Sequence, residues 1–374
     1  MDHEELRMAT TEKKRREAAR RNTRMRFEQW AKNPLCQANT VSAVRNVRMA
    51  QVAQAEGLAP TFGQSPFAIA RGDQFERSLF YADARALLDA LIEREVLPPG
   101  SEGLADFRLR MNGGRYITDL DSAIVETSDF LRRVASAKSA SQRAELPSVV
   151  AGPTLRIPRG VMLPEAVLII DVLALRLDRD LPELVVGEIK TYPDRGGHTA
   201  AAELAVARAQ AGIYVHALDV VCEELGIADE VVIRRDGFLV LTRPGSNRPS
   251  VRAGEDFGYQ AERARRGFDL LEAAACALPS EVWGSEDDPP EEVLVRAVRE
   301  ADTNYGEVCL SFCDRAPVCH RSALDAGDPI VLGEDVRRYL GTVTLHRALA
   351  LLDGAPSATE AEADLLRRIR ASER

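Results

Sequence analysis

The sequence predicts an α/β fold in which helices cover both faces of a mixed central sheet. Two short apolar runs rich in β-formers, 166–178 and 183–191, are separated only by a turn at Arg179–Pro182. Runs that are apolar on both faces are typical of adjacent inner strands in a covered sheet. Helical spacing of apolar residues is found before and after them, in 72–96 and 199–225. We therefore expect an inner sheet with helices on either side.

The remaining elements follow in chain order. Residues 3–31 have helical composition, and a break at Asn33-Pro34 precedes Cys36. A hairpin is predicted from 230–235 and 237–243, because Asp236-Gly237 favours a tight turn. Further helices are predicted over 39–56, 119–142, 258–278, 290–303, 334–351 and 358–371. The expected organisation is a helical N-terminal segment, a central core and a helical C-terminal segment, with bounds 1–60, 61–250 and 251–374.

Composition excludes several classes of protein. No apolar run approaches the roughly 20 residues that cross a bilayer, and the N-terminus is charged, so we expect a cytoplasmic protein with no membrane partner. A net charge of −9 argues against non-specific coating of nucleic acid, which depends on Lys and Arg. It permits a local basic groove. Residues 13–26, rich in Lys and Arg, are either a phosphate-contacting helix or a solvated helix face.

Three charged residues stand within the two predicted inner strands. Asp171 lies in LIIDVLA, and Glu188 and Lys190 lie in VVGEIKT. Strand alternation places Glu188 and Lys190 on one face, and the tight turn brings Asp171 alongside. Buried charges are normally paired or bound to metal, so the residues form either a buried salt bridge or a site for Mg²⁺ or Mn²⁺, whose preferred ligands are oxygens. In the second case, the ion would activate phosphodiester hydrolysis and Lys190 would orient the attacking water.

The order Asp, then Glu-x-Lys, then a helix resembles the PD-(D/E)XK nuclease superfamily, in its RecB-type branch. Upstream, residues 72–76 (GDQFE) resemble the branch's Gly-x-x-apolar-His motif, with Glu76 in the place of His. Downstream, residues 210–214 (QAGIY) match its Gln-apolar-x-x-Tyr motif. The resemblance implies a three-layer restriction-endonuclease-like core in which Glu76 is a third metal ligand, and Gln210 and Tyr214 contact DNA or orient the lysine. Glu165 is an alternative to Asp171 as the first acid.

Three cysteines, Cys309, Cys313 and Cys319, lie within eleven residues. Cys36, in the loop after the first helix break, is the natural fourth ligand, because Cys222 and Cys276 lie in apolar helical stretches typical of core residues. Four thiolates hold either zinc or a [4Fe–4S] cluster. One cysteine before the core and three after it resembles the iron–sulfur RecB-type nucleases, which implies the cluster, although the spacing Cys-x3-Cys-x5-Cys is one residue longer than the family's Cys-x2-Cys-x5-Cys.

The resemblance implies a DNA nuclease that acts on ends or single strands, in DNA repair, recombination or antiviral defence. The sequence lacks a Gly-x4-Gly-Lys-Ser/Thr loop, so if the reaction requires unwinding, a helicase or another repair or defence subunit would have to supply it. Two alternatives remain. One is a non-cleaving DNA-binding or scaffold subunit that keeps the fold and the cluster, and the other is a zinc-stabilised transcription or assembly factor.

Overall fold

A computed structural model divides the chain into two compact units. The first comprises Met1–Met25 and Gln64–Ala273, and the second comprises Arg26–Gly63 and Ala274–Arg374. Segments from both ends of the chain therefore make up the second unit. The division predicted from the sequence, 1–60, 61–250 and 251–374, stays a prediction. The structure describes residues 20, 22–63, 65–108, 119–157, 162, 165–246, 248–279 and 289–372.

The helices within these residues are α1 (Thr23–Lys32), α2 (Gln37–Arg45), α3 (Met49–Ala55), α4 (Pro66–Leu79), α5 (Arg85–Glu93), α6 (Leu120–Ser136), α7 (Ala140–Ala144), α8 (Ala201–Glu224), α9 (Gly258–Cys276), α10 (Glu291–Glu300), α11 (Ala316–Asp325), α12 (Glu334–Leu340), α13 (Leu345–Leu352) and α14 (Glu360–Ser372). The strands are β1 (Leu104–Asp106), β2 (Val149–Ala151), β3 (Thr154–Arg156), β4 (Val167–Ile169), β5 (Val172–Arg176), β6 (Glu183–Pro193), β7 (Val232–Ile233), β8 (Asp236–Thr242) and β9 (Pro249–Asp256). No described helix combines the length and the apolar character needed to span a membrane.

Seven of the nine described strands form a mixed sheet, as predicted, and β3 and β4 form a separate two-stranded sheet. The order of the mixed sheet among the described residues is β1-β2-β5-β6-β8-β9, with β7 paired to β6. The pairs β2/β5, β5/β6 and β8/β9 are antiparallel, whereas β1/β2, β6/β7 and β6/β8 are parallel. Helix α8 makes the crossover that a parallel β6/β8 pair requires. The fold class is therefore α/β.

Both faces of the inner strands are buried. On one face, Val172, Val185 and Phe238 belong to an apolar cluster with residues of α4 and α5. Their strand neighbours Leu173 and Val186 point to the opposite face and are fully buried as well. This two-sided burial explains why the two runs read as continuously apolar rather than alternating.

Two predicted elements are interrupted in the structure. The run 166–178 is not one strand, because it breaks at Ile170–Asp171 between β4, which pairs with β3, and β5, which pairs with β6. The run 72–96 is not one helix, because residues 82–84 between α4 and α5 have positive φ. Gly72 does not open a helix as expected, because α4 already begins at Pro66.

The predicted hairpin at Asp236-Gly237 is wrong. Strand β8 begins at these residues and pairs with β6 and β9, so the hairpin observed is β8/β9. Gly237 serves a close approach instead of a turn. A Cβ there would lie 2.3 Å from the carbonyl oxygen of Val186 and 2.4 Å from the ring of Phe257.

Gly187, which precedes Glu188 in β6, leads to a prediction about stability. A Cβ at this position would lie 2.3 Å from the ring of Phe238 and 2.7 Å from Val172. We expect Gly187→Ala to lower the free energy of unfolding by about 1–3 kcal/mol, the usual effect of overpacking. Chemical denaturation measures this change.

Gly72→Ala is the matched control. Gly72 lies within α4, and nothing surrounds the position of its Cβ. Since alanine is favoured over glycine in helices by about 1 kcal/mol, this variant should be as stable as the wild type or more so. Equal effects of the two substitutions would contradict the packing described around Gly187.

Candidate active site

Asp171 and Glu188 lie side by side at the junction of β5 and β6. Val172 pairs with Gly187 in the antiparallel register, so Asp171, one residue before the strand, stands opposite Glu188 on the same face. The backbone N–H of Ile189 donates a hydrogen bond of 3.0 Å to Asp171 Oδ2. The bond fixes the Asp171 carboxylate against the strand that carries Glu188.

Glu188 is completely buried, and two cations lie close to its carboxylate. The Lys190 ammonium lies 2.5 Å from Oε1, and Arg24 Nη1 of α1 lies 3.7 Å from the same oxygen. Oε2 has no hydrogen-bond partner within the described part of the chain. Burial, followed by the charge of Asp171, raises the pKa of Glu188 to about 8, against the attraction of the cations. Burial would lower the pKa of Lys190, but the negative charges of Glu188 and Asp171 outweigh it, so this pKa is raised.

Glu76, from α4, is the third acid of the group. Burial and the negative charge of Asp171 raise its pKa, whereas Arg108 opposes the change. Arg108 Nη1 lies 3.7 Å from Glu76 Oε1. On the other side, the Tyr214 hydroxyl of α8 donates to Asp171 Oδ1 at 3.5 Å. Asp171 is thus the residue to which both helices are connected.

Five of these side chains, but not those of Glu188 and Lys190, line one cavity of about 340 Å³. Its lining residues come from α1, α4, β4, α8, the β4–β5 junction and the segments that follow β1 and β2: Arg24, Glu76, Arg108, Gly152, Val167, Leu168, Ile169, Ile170, Asp171 and Tyr214. The site therefore brings the acids Glu76, Asp171 and Glu188 together with the bases Arg24, Arg108 and Lys190.

Gln210 and Glu165 lie outside that set of lining residues. Gln210 precedes Tyr214 by one turn of α8 and is buried, and its Oε1 has no hydrogen-bond partner among the described residues. Glu165 lies 3.6 Å from Arg20 and 3.6 Å from Arg156. The geometry therefore favours Asp171 over Glu165 as the first acid.

Two residues of the cavity are not apparent from the sequence motifs. Arg108 follows β1 and belongs to no recognisable pattern. Arg24 falls within the basic segment 13–26, for which the sequence predicts a helix but no individual contact. Residues 13–19 and 21 of this segment lie outside the described residues. Only the three-dimensional arrangement shows which arginine of that segment reaches the acids.

The four predicted cluster cysteines all belong to the second unit. Burial is the largest cause that raises the pKa of Cys313 to about 12. The neighbouring thiols of Cys319, Cys309 and Cys36 add to the increase. Burial likewise raises the pKa of Cys319, and Cys36 and Cys309 add to the increase. The side chain of Asn33 donates to Cys309 Sγ at 3.2 Å. The four thiols therefore lie within electrostatic reach of one another.

Two buried residues between Cys313 and Cys319 anchor the cysteine loop. Asp314 Oδ1 accepts hydrogen bonds from the backbone N–H groups of Thr61, at 2.6 Å, and Phe62, at 3.1 Å. Arg315 pairs with Glu56 at 2.9 Å and donates to the carbonyls of Val298 and Arg299. The loop is thus tied to segments from both ends of the chain.

The other two cysteines differ from each other. Cys222 is completely buried in α8, as expected of a core residue. Cys276, which was expected in the core, is exposed at the end of α9. The apolar run AAACAL placed Cys276 correctly in a helix but not on its buried face, because the run is too uniform to define a face.

As they stand, no three His, Cys, Asp or Glu side chains of the described residues are grouped so as to hold a metal ion. The donors nonetheless fit the groups that the sequence suggests. Glu188 Oε2, a buried acid oxygen without a hydrogen-bond partner among the described residues, is a potential ligand for a hard cation, and four neighbouring thiols are soft ligands for iron or zinc.

Comparison of the chain with models of protein families finds no matching family. Comparison with curated proteins likewise finds no match.

The Arg315–Glu56 pair leads to a prediction about the second unit. Removal of one partner of a buried pair leaves an uncompensated charge, which costs about 3–5 kcal/mol. We expect Arg315→Ala to lower the free energy of unfolding by that amount, with a lower melting temperature. Arg338→Ala is the control, because Arg338 is exposed and pairs with Asp335 at the surface, where such pairs contribute about 0–1 kcal/mol. Similar losses for both variants would contradict the anchoring role.

Proposed function

We propose that the chain is a Mg²⁺- or Mn²⁺-dependent deoxyribonuclease of the PD-(D/E)XK superfamily, in its RecB-type branch. The observation that carries the proposal is the convergence of Asp171, Glu188 and Lys190 at the β5/β6 pair, beside the cavity that Asp171 lines. Hydrolysis of a phosphodiester requires carboxylates for the metal and a cation beside them. The mixed sheet with its crossover helix is compatible with the three-layer core of that superfamily.

Asp171 and Glu188 are the proposed metal ligands, with Glu76 as a third. A divalent cation there would act as a Lewis acid on the scissile phosphate. Burial, followed by the charge of Asp171, raises the pKa of Glu188 to about 8, so a bound cation would stabilise the charged form of this acid. A divalent cation would therefore suit the three acids in charge as well as in position.

Lys190 and Tyr214 have separate roles in this proposal. The Lys190 ammonium, already 2.5 Å from Glu188, would orient the attacking water and neutralise negative charge that develops on the phosphate. The Tyr214 hydroxyl holds the Asp171 carboxylate in position. Gln210, buried one turn away, would support Tyr214 or contact DNA.

The second unit is proposed to carry a [4Fe–4S] cluster on Cys36, Cys309, Cys313 and Cys319. Burial makes bare thiolates unfavourable at Cys313 and Cys319, so a bound cationic centre would stabilise them. A cluster would join the two chain segments that form this unit and restrict the unfolded chain. The Asn33 amide beside Cys309 would supply a hydrogen bond to a ligating sulfur.

Substitution of the acids and the lysine tests the nuclease proposal. We expect Glu188→Gln, Asp171→Asn and Lys190→Met each to reduce DNA cleavage in Mn²⁺ by at least about 10²-fold, the usual effect of losing a group that stabilises the transition state. The measurement is degradation of labelled single- and double-stranded DNA by protein purified without oxygen.

Glu165→Gln is the matched control for this series. It removes an acid of the same unit that pairs with Arg20 and Arg156 outside the cavity, and cleavage should persist at the wild-type rate. Loss of activity in Glu165→Gln with full activity in Asp171→Asn would reverse the assignment of the first acid. Equal cleavage by every variant would end the proposal.

The cluster has its own test, which does not depend on activity. Anaerobically purified protein should contain iron and sulfide and absorb at roughly 400 nm, as iron–thiolate clusters do. Cys36→Ala and Cys313→Ala should lose both the iron and the absorption. Cys276→Ala should keep them, because Cys276 is exposed and outside the set. Bound zinc without iron in the wild-type protein would replace the cluster by a zinc site.

A further inference from the structure

Two arginines from separate elements flank the acids of the cavity. Arg24 belongs to α1, and Arg108 follows β1. Each lies 3.7 Å from one acid, Arg24 from Glu188 and Arg108 from Glu76. The catalytic motif requires neither arginine, so their presence on the cavity wall needs a separate explanation.

Arg108 is held rigidly by three features of its surroundings. Its Nε and Nη2 donate to the two oxygens of Asp106, at 2.9 and 2.8 Å. Its guanidinium stacks on the ring of Phe80, 4.2 Å from the centroid. Gly152 makes room for it, because a Cβ there would lie 2.7 Å from Arg108 Cγ. An ordered guanidinium needs little further ordering when it binds a ligand.

Arg24 approaches the acids from another side and remains partly accessible. Its side chain is 32% exposed, whereas that of Glu188 is completely buried. Its guanidinium therefore reaches both the buried acid and the open part of the cavity. A cation in this position attracts an anion that enters from solvent.

The charges of the cavity indicate the class of ligand. Four acids, counting Asp106 beside Arg108, face three bases, so a bound divalent cation would leave a net charge of +1, which favours anions. A guanidinium matches the geometry of phosphate oxygens better than an ammonium does. We propose that Arg24 and Arg108 form a phosphate-binding pair that holds the DNA backbone on either side of the phosphate to be cleaved. This inference rests on the proposed nuclease function.

The test is the salt dependence of DNA binding. Binding of a fluorescent single-stranded oligonucleotide is measured by anisotropy over a series of KCl concentrations, with Ca²⁺ as the metal. Each lost phosphate contact lowers the slope of log K against log salt by about 0.7 for single strands. We expect Arg24→Gln and Arg108→Gln each to weaken binding by about tenfold or more and to reduce the slope by that amount, with twice the reduction in the double variant.

Arg265→Gln is the control. Arg265 is an exposed arginine of the same unit that pairs with Glu262 and Asp269 on α9, so affinity and slope should be unchanged. Thermal unfolding of each variant separates binding from folding. The more exposed Arg24 keeps the test informative if Arg108→Gln is destabilised by loss of the Asp106 and Phe80 contacts.

The possible outcomes distinguish failure of this inference from failure of the proposed nuclease function. Mn²⁺-dependent cleavage by the wild type, together with unchanged slopes in both arginine variants, would overturn the phosphate-binding pair and leave the nuclease intact. Weaker binding with an unchanged slope would also overturn it, because a purely structural role predicts that result. A wild-type protein that neither cleaves nor binds DNA would overturn both proposals.

Discussion

The fully buried carboxylate of Glu188 is the constraint on which the site depends. A negative charge withdrawn from water is tolerated only where cations or a metal offset it. Lys190, two residues along the same strand, supplies the nearest cation, and Arg24 of α1 supplies the next. Gly187 completes the arrangement, since its missing side chain lets β6 pack tightly against Phe238 on the other face. The strand thus presents a charge on one side and close packing on the other.

In the second unit, buried charged side chains are likewise compensated, here mainly by groups of the backbone. In the segment CDRAPVC, Asp314 and Arg315 between two of the cysteines make buried contacts of opposite polarity. One binds backbone N–H groups, and the other binds backbone carbonyls and Glu56. Loop backbone that would otherwise lack partners is satisfied by these side chains. Side chains of the loop itself therefore stabilise its conformation.

The sequence predicted the sheet, together with those site residues that lie within its apolar strands. Strand alternation and apolar runs located Glu188, Lys190 and the neighbouring Asp171, whereas Tyr214 was located only by the resemblance of residues 210–214 to a family motif. The position of Asp171 at a break between two strands was not predicted, because both sides of the break are equally apolar. Arg108 was missed because its role arises from contacts with Asp106, Phe80 and Gly152, which are distant along the chain or have no periodic pattern.

The β5/β6 hairpin separates the acids from its own turn. Asp171 precedes β5, and the turn at 177–182 follows five strand residues later, which at about 3.3 Å per residue is a distance of about 16 Å. Residues 178–180 are exposed, and Arg143 holds the turn through the backbone carbonyl of Asp180 at 2.7 Å, so side chains there are not needed for its shape. A fluorescent reporter can accordingly be attached to a side chain of this turn while the arrangement of Asp171 and Glu188 is preserved.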